Sequence, residues 1–314
     1  MRHLVILTLA LALVAPLTAL GDEPPLPRPR PHFSGDTVNP DEVPADVPVP
    51  KGENPVLAAS EPQPVTLSAR VSEDGPIITS GLVWRVYNTK ADARGQLELI
   101  GKSNEAAAGF ALPVGQYVVH VAYGRAQASD TMDVETGPNA KTIILDAGAL
   151  QLNGKITGDL SIPANLLSFD IFTSTESASE RVPVAEKVAP DEIVRVNAGV
   201  YQIVSHYGSA NASVRADLRV EPGKLTEATL YHKASQVTLR LVSKEGGEAI
   251  ADVDWTVKTS AGDTVFTHHG AFPSVVLEAG DYLVLAKLGD RVYNREFQIQ
   301  PGKPHLVEVL TTVY

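Results

Sequence analysis

One thirteen-residue pattern returns three times in this chain, and a repeat of that kind restricts the fold more than any other feature of a sequence. The copies read LPVGQYVVHVAYG over residues 112–124, VNAGVYQIVSHYG over 196–208 and LEAGDYLVLAKLG over 277–289. Each sets one glycine two residues before a tyrosine and another seven residues after it. The sets are Gly115, Tyr117 and Gly124; Gly199, Tyr201 and Gly208; Gly280, Tyr282 and Gly289. The leading glycines lie 84 and then 81 residues apart. Downstream, each copy has a second glycine turn (Gly137-Pro138, Pro222-Gly223, Pro301-Gly302) and a last apolar stretch. Upstream, each opens with an apolar run and then a run holding an aromatic anchor: Trp84, Phe169 or Trp255.

The local period is that of β-strands. Val214, Ala216, Leu218 and Val220 alternate with Arg215, Asp217 and Arg219, giving one dry and one wet face. Around Val118, Val119 and Val121 the glycine–tyrosine run is apolar on both faces, which predicts an interior strand. Turn signals such as Asp74-Gly75, Gly158-Asp159 and Gly246-Gly247 punctuate the runs, as in antiparallel sandwiches. Helical turns are predicted only at Asn104–Ala108 and Ser174–Lys187, and the second contains Pro183. The expected fold is all-β: three tandem antiparallel β-sandwiches of about seven short strands, over residues 65–147, 148–233 and 234–314. Asp146-Ala147-Gly148 and Lys233-Ala234-Ser235 leave almost no linker, so the array is expected to be a semi-rigid rod.

The glycine–tyrosine run resembles the P-G-x-Y-x-V strand of prealbumin-like and carboxypeptidase-regulatory-like (immunoglobulin-like) sandwich repeats of exported bacterial proteins. The resemblance extends over residues 65–314. It implies a sandwich fold with an adhesive, scaffolding or ligand-binding tendency, and it carries over no catalytic residue. Similar repeats accompany von Willebrand factor A domains, whose Asp-x-Ser-x-Ser metal motif this sequence lacks.

Residues 1–21 read as a secretory signal peptide. Arg2 and His3 precede an apolar run, Leu4 to Val14, broken only by Thr8; Pro16 follows, and Ala19 and Gly21 sit where a signal peptidase needs small residues. The run is too short to cross about 30 Å of hydrocarbon, and no Cys follows for a lipid anchor. The processed chain is therefore expected in the periplasm or outside the cell, not spanning a membrane. Residues 22–64 hold twelve prolines and a charge of −5. Proline fixes φ and removes backbone donors, which predicts a disordered, polyproline-rich linker. A spacer is the expected role, although the PRPRP run at 27–31 suits an aromatic groove.

The counts exclude much chemistry. With no Cys there is no disulfide, thiol nucleophile or thiolate metal site. The net charge of −11, with −7 over the three repeats, opposes nucleic-acid binding. Nucleophile elbows, phosphate loops and dinucleotide fingerprints are missing, so no catalytic residue and no cofactor is expected. His268-His269, with His305 and Asp263, is the best metal candidate. Adjacent strand residues face opposite ways, however, which favours solvated histidines and no metal. His120 and His206 stand at different offsets from the repeat tyrosine, and Asp130, Asp133 and Glu135 read as a solvated acidic face rather than a calcium site. Tyr117, Tyr201 and Tyr282 are expected to pack in the core with hydroxyls on nearby backbone, and Trp84 and Trp255 to plug the space between sheets. Tyr87, Tyr123, Tyr207 and Tyr293 remain as candidate ligand contacts. The expectation is a non-enzymatic exported scaffold whose partner is another envelope or surface protein. The alternative is an envelope glycan or small-ligand binder using those tyrosines.

Overall fold

The structure, a computed structural model, describes residues 61–173 and 181–311. The signal segment, nearly all of the proline-rich stretch and residues 174–180 lie outside them. Among the described residues, no helix is long and apolar enough to cross a membrane.

Strands β1 (Gln63–Arg70), β2 (Leu82–Ala91), β3 (Leu97–Ser103), β4 (Ala108–Leu112), β5 (Gly115–Tyr123), β6 (Ala126–Val134) and β7 (Asn139–Ile144) form the first sandwich. The second holds β8 (Ala147–Ile156), the two-residue β9 (Leu160–Ser161), β10 (Leu167–Thr173), β11 (Pro183–Val188), β12 (Ile193–Asn197), β13 (Gly199–Tyr207), β14 (Ser213–Val220) and β15 (Leu225–His232). The third holds β16 (Ala234–Val242), β17 (Asp254–Thr259), β18 (Thr264–His269), β19 (Ser274–Glu278), β20 (Gly280–Leu288), β21 (Arg291–Ile299) and β22 (His305–Leu310).

All three copies share one topology. A four-stranded sheet runs β3-β2-β5-β6 in the first, β11-β10-β13-β14 in the second and β18-β17-β20-β21 in the third. A second sheet faces it: β4-β1-β7, then β12-β8-β15 with the short β9 also paired to β8, then β19-β16-β22. Alternation sets the core. Val65, Leu67 and Ala69 of β1 face Leu82, Trp84 and Val86 of β2 and Val119 and Val121 of β5, all buried. Each such Leu or Val contributes roughly 1.5–3 kcal/mol by leaving water. The fold resemblance is met: each copy is a two-sheet, immunoglobulin-like β-sandwich, with the glycine–tyrosine strand in the sheet interior.

Two details differ from the sequence reading. The first and last strands of each copy pair parallel, from Val65 opposite Asn139 to Arg70 opposite Ile144 in the first. The second glycine turn passes from one sheet to the other instead of closing a hairpin, so the last strand arrives alongside the first in the same sense. Of the helical turn expected over Ser174–Lys187, residues 174–180 lie outside the described residues and the remainder is corrected. Pro183–Val188 is strand β11, an edge strand, where proline's missing N–H leaves no gap in the ladder. Residues 105–107 bend into β4, and the one helical element described is a single 3-10 turn at Ala164–Leu166.

Candidate functional site

The repeat markers are structural parts of each sandwich. Tyr117, Tyr201 and Tyr282 are buried, and each hydroxyl donates to the carbonyl four residues earlier: Pro113 at 3.0 Å, Asn197 at 2.8 Å and Glu278 at 2.9 Å. Burial pushes all three phenols above their ordinary pKa. Gly115, Gly199 and Gly280 enter the strand at φ 155°, 159° and 159°. Trp84 and Trp255 are buried and donate through Nε1 to the Glu105 and Gly270 carbonyls at 3.0 and 2.7 Å. Phe169 fills the same place in the second copy, where no donor then has to be satisfied.

The closing glycine of the set does something sequence reasoning missed: in the first two copies it joins one sandwich to the next. Gly124, Gly208 and Gly289 turn left-handed, at φ 66°, 75° and 58°. A Cβ on Gly124 would lie 3.1 Å from Arg195 Cβ, and one on Gly208 would lie 2.7 Å from Val276 Cβ. Arg195 and Val276 hold the same place, six residues before the tyrosine of the following copy. Around Gly124, the Arg125 amide donates to the Arg195 carbonyl at 2.9 Å. Asn197 accepts from the Gln127 amide at 3.1 Å and donates to the Gln127 carbonyl at 3.0 Å and the Leu145 carbonyl at 2.8 Å. The Arg195 guanidinium lies 4.8 Å over the Tyr123 ring. In the second joint, Asn211 takes the part of Gln127. Its amide nitrogen donates to the Tyr282 hydroxyl at 2.8 Å, and its oxygen accepts from the Glu278 amide at 3.2 Å. Val276 is buried and packs into the core of the second sandwich.

Each joint is closed twice more. The Ala198 amide donates to the Asp146 carbonyl at 2.6 Å, and the Ala279 amide to the Lys233 carbonyl at 2.7 Å. The second glycine turn of the following copy also reaches back: Gly223 toward Ser72 and Gly302 toward Leu160, both in the connection after the previous copy's first strand.

The four candidate ligand tyrosines do not form one surface. Tyr207 is buried at 3% exposure, a correction to its place in that set, because it lies in the core of the second sandwich with its ring edge-on to His232 at 5.8 Å. Tyr123 carries Arg195, and Tyr87 and Tyr293 are half-buried. Among the described residues no group of three His, Asp or Glu side chains is placed to hold a metal. His269 Nδ1 contacts Asp254 at 2.8 Å, His268 stacks on Phe266 and His305 Nε2 faces the Gln300 carbonyl at 3.3 Å. Asp130 is drawn below the usual carboxylate range by its hydrogen bond to Lys141, and Asp133 accepts from Gln116. Burial and then Arg85 hold the His120 imidazole below its ordinary value, while His206 pairs with Asp170 at 3.0 Å.

One buried polar pair has no counterpart in the sequence reading. Ser205 Oγ and His232 Nε2 lie 2.8 Å apart inside the second sandwich, at 0% and 1% exposure. Val121 and Ala286 stand where Ser205 stands, and Leu145 where His232 stands. Burial, helped by His206, brings the His232 imidazole down to about 4. Enclosed in this way, the pair meets no substrate; it is a polar clasp in an apolar core.

Residues 236–311, within the third sandwich, match the family described as the Rhizobiales growth-associated tandem repeat domain. No curated protein matches the chain. Among solved structures, the chain is similar to the Bacillus anthracis TIE protein at 14% identity and a TM-score of 0.25, over 81% of this chain and 50% of that one. It is also similar to a streptococcal ancillary pilin, at 12% identity and a TM-score of 0.29, over 80% and 99%. A third likeness is to the minor pilin of Streptococcus agalactiae, at 12% and 0.32, over 54% and 95%. The chain thus spans about half the length of the TIE protein.

Proposed function

We propose that this chain is a non-enzymatic scaffold of the cell envelope, exported to the periplasm or beyond, that holds three sandwich surfaces in fixed order against another envelope protein. The observation that carries the reading is the recurrence of the joint. Twice, a left-handed glycine turn, a side-chain amide and a backbone hydrogen bond lock one sandwich to the next. A chain of independent binding modules has no need of such joints, whereas a spacer with set geometry does. The signal-like residues 1–21 and the proline-rich residues 22–64 support export and tethering, and the growth-associated description of the matched family suits a part of an expanding envelope.

The test is cell fractionation followed by crosslinked capture from envelope extract, using the full chain as bait. Recovery in the envelope with a stoichiometric protein partner is expected. A chain found only in the cytosol, or held only by polysaccharide, would sink the proposal.

A further inference from the structure

Both internal joints are built from the same four surfaces, and among the described residues the matching four on the first and third sandwiches are left open. On the third sandwich these are the Gly289 turn and the Gly246 turn; on the first they are the Ala111 strand and the Gly137 turn. A Cβ on Gly289, Gly246 or Gly137 would meet nothing within 4 Å, and Ala111, at the place of Arg195 and Val276, is exposed. The open surfaces also suit each other chemically. Where Gln127 and Asn197 exchange hydrogen bonds at the first joint, the third sandwich offers Val292 and the first offers Pro113, which has no N–H to leave unsatisfied. Where Tyr123 meets Arg195 at the first joint, the open pair is Leu288 and Ala111. Val292 is 56% exposed, and Val114, next to Pro113, is 47% exposed. Val292 and Pro113 thus put apolar groups on both open halves at the positions where the internal joints use Gln127 or Asn211 and Asn197 or Glu278.

We propose that these faces are the two halves of a third joint, formed between copies of this chain: the Gly289 turn of one copy seats on the Ala111 strand of the next. Different patches meet in such a contact, so it is heterologous and propagates head to tail instead of closing as a pair. Within one chain, tethering supplies an effective concentration on the order of millimolar. Between chains that help is missing, so assembly depends on local density, as on a crowded envelope. The proposal rests on the scaffold reading and names its partner as a second copy.

The chain has no cysteine, so every disulfide reports an introduced pair. Full chains carrying Ala111→Cys and Gly289→Cys are mixed under mild oxidation. The reference mixture pairs Ala111→Cys with Gly95→Cys, at a turn equally open and equally left-handed at φ +77°. The proposal expects at least tenfold more mixed dimer than the reference, a ladder of products from the doubly substituted chain, and a tenfold loss when Pro113→Glu is added. Yields equal to the reference, or like-with-like dimers outrunning the mixed one, overturn it. The two proposals fail separately. Envelope capture of a different stoichiometric protein with no mixed dimer removes this one alone; mixed dimer from a chain confined to the cytosol removes only the envelope reading.

Discussion

His232 shows how one residue gives the middle sandwich its own response to acid. Its imidazole is neutral when folded, with a pKa of about 4, and returns toward 6.5 when the chain unfolds. Between those values the unfolded state binds more protons, so stability is complete above pH 6.5 and falls as pH drops toward 4. The full loss is about 3 kcal/mol, seen as a drop in the midpoint of one thermal transition between pH 7 and pH 4. Replacing the pair as Ser205→Val with His232→Leu, after Val121 and Leu145, is expected to flatten that dependence at little cost at neutral pH, since removing both partners leaves no orphan. The repeat tyrosines offer a second residue-scale comparison. Tyr201→Phe removes one hydroxyl bond to Asn197 and is expected to cost about 1 kcal/mol in denaturant unfolding. Tyr282→Phe is expected to cost more, because its hydroxyl donates to Glu278 and also accepts from Asn211 of the preceding sandwich. The core role of these tyrosines was legible from the sequence, since a tyrosine beside a glycine at a strand entry has few other fates. The Ser205–His232 clasp was not, because nothing local to either residue tells that β13 and β15 bring them together.

Among the elements, the hairpin turn is where the three copies diverge in use. Gly208→Ala must place a Cβ 2.7 Å from Val276 Cβ on a left-handed backbone. Conformational strain of about 1–2 kcal/mol adds to overpacking of about 1–3 kcal/mol. Gly289→Ala has the strain without the clash, so calorimetry is expected to show the smaller loss there, about 1–2 kcal/mol. Strand existence was largely readable: the alternation from Val214 to Val220 is strand β14, and the run through Val118 to Val121 lies inside β5. Pairing was less so. That β7 lies parallel to β1 is a contact between residues 74 apart, as at Ser68 and Thr142, and hydrophobic period carries no information about direction. Pro183 misled for a related reason, since only the sheet order shows that β11 is an edge.

At the scale of the whole molecule, the joints make neighbours depend on each other. Val276 belongs to the third sandwich by sequence and to the core of the second by packing. A carboxylate there, as Val276→Asp, buries an unpaired charge, and the expected loss of about 2–4 kcal/mol falls on the second sandwich as well as the third. Amide hydrogen exchange checks this: β13 and β14 should lose protection together with β19, and protection lost in β19 alone would contradict the shared core. The surroundings of two aromatic candidates are set at this scale as well: Tyr207 lies in the core of the second sandwich edge-on to His232, and Tyr123, packed on the core of the first, carries Arg195 of the next copy. The parallel pairing of first and last strands has a mechanical consequence. In each copy the chain enters at one end of that pair and leaves at the opposite end, as at Gln63 and Ile144. Tension drawn through the array therefore loads the interstrand hydrogen bonds in shear, all of them at once, instead of peeling them one by one, and each sandwich resists being pulled open along the line on which it is strung.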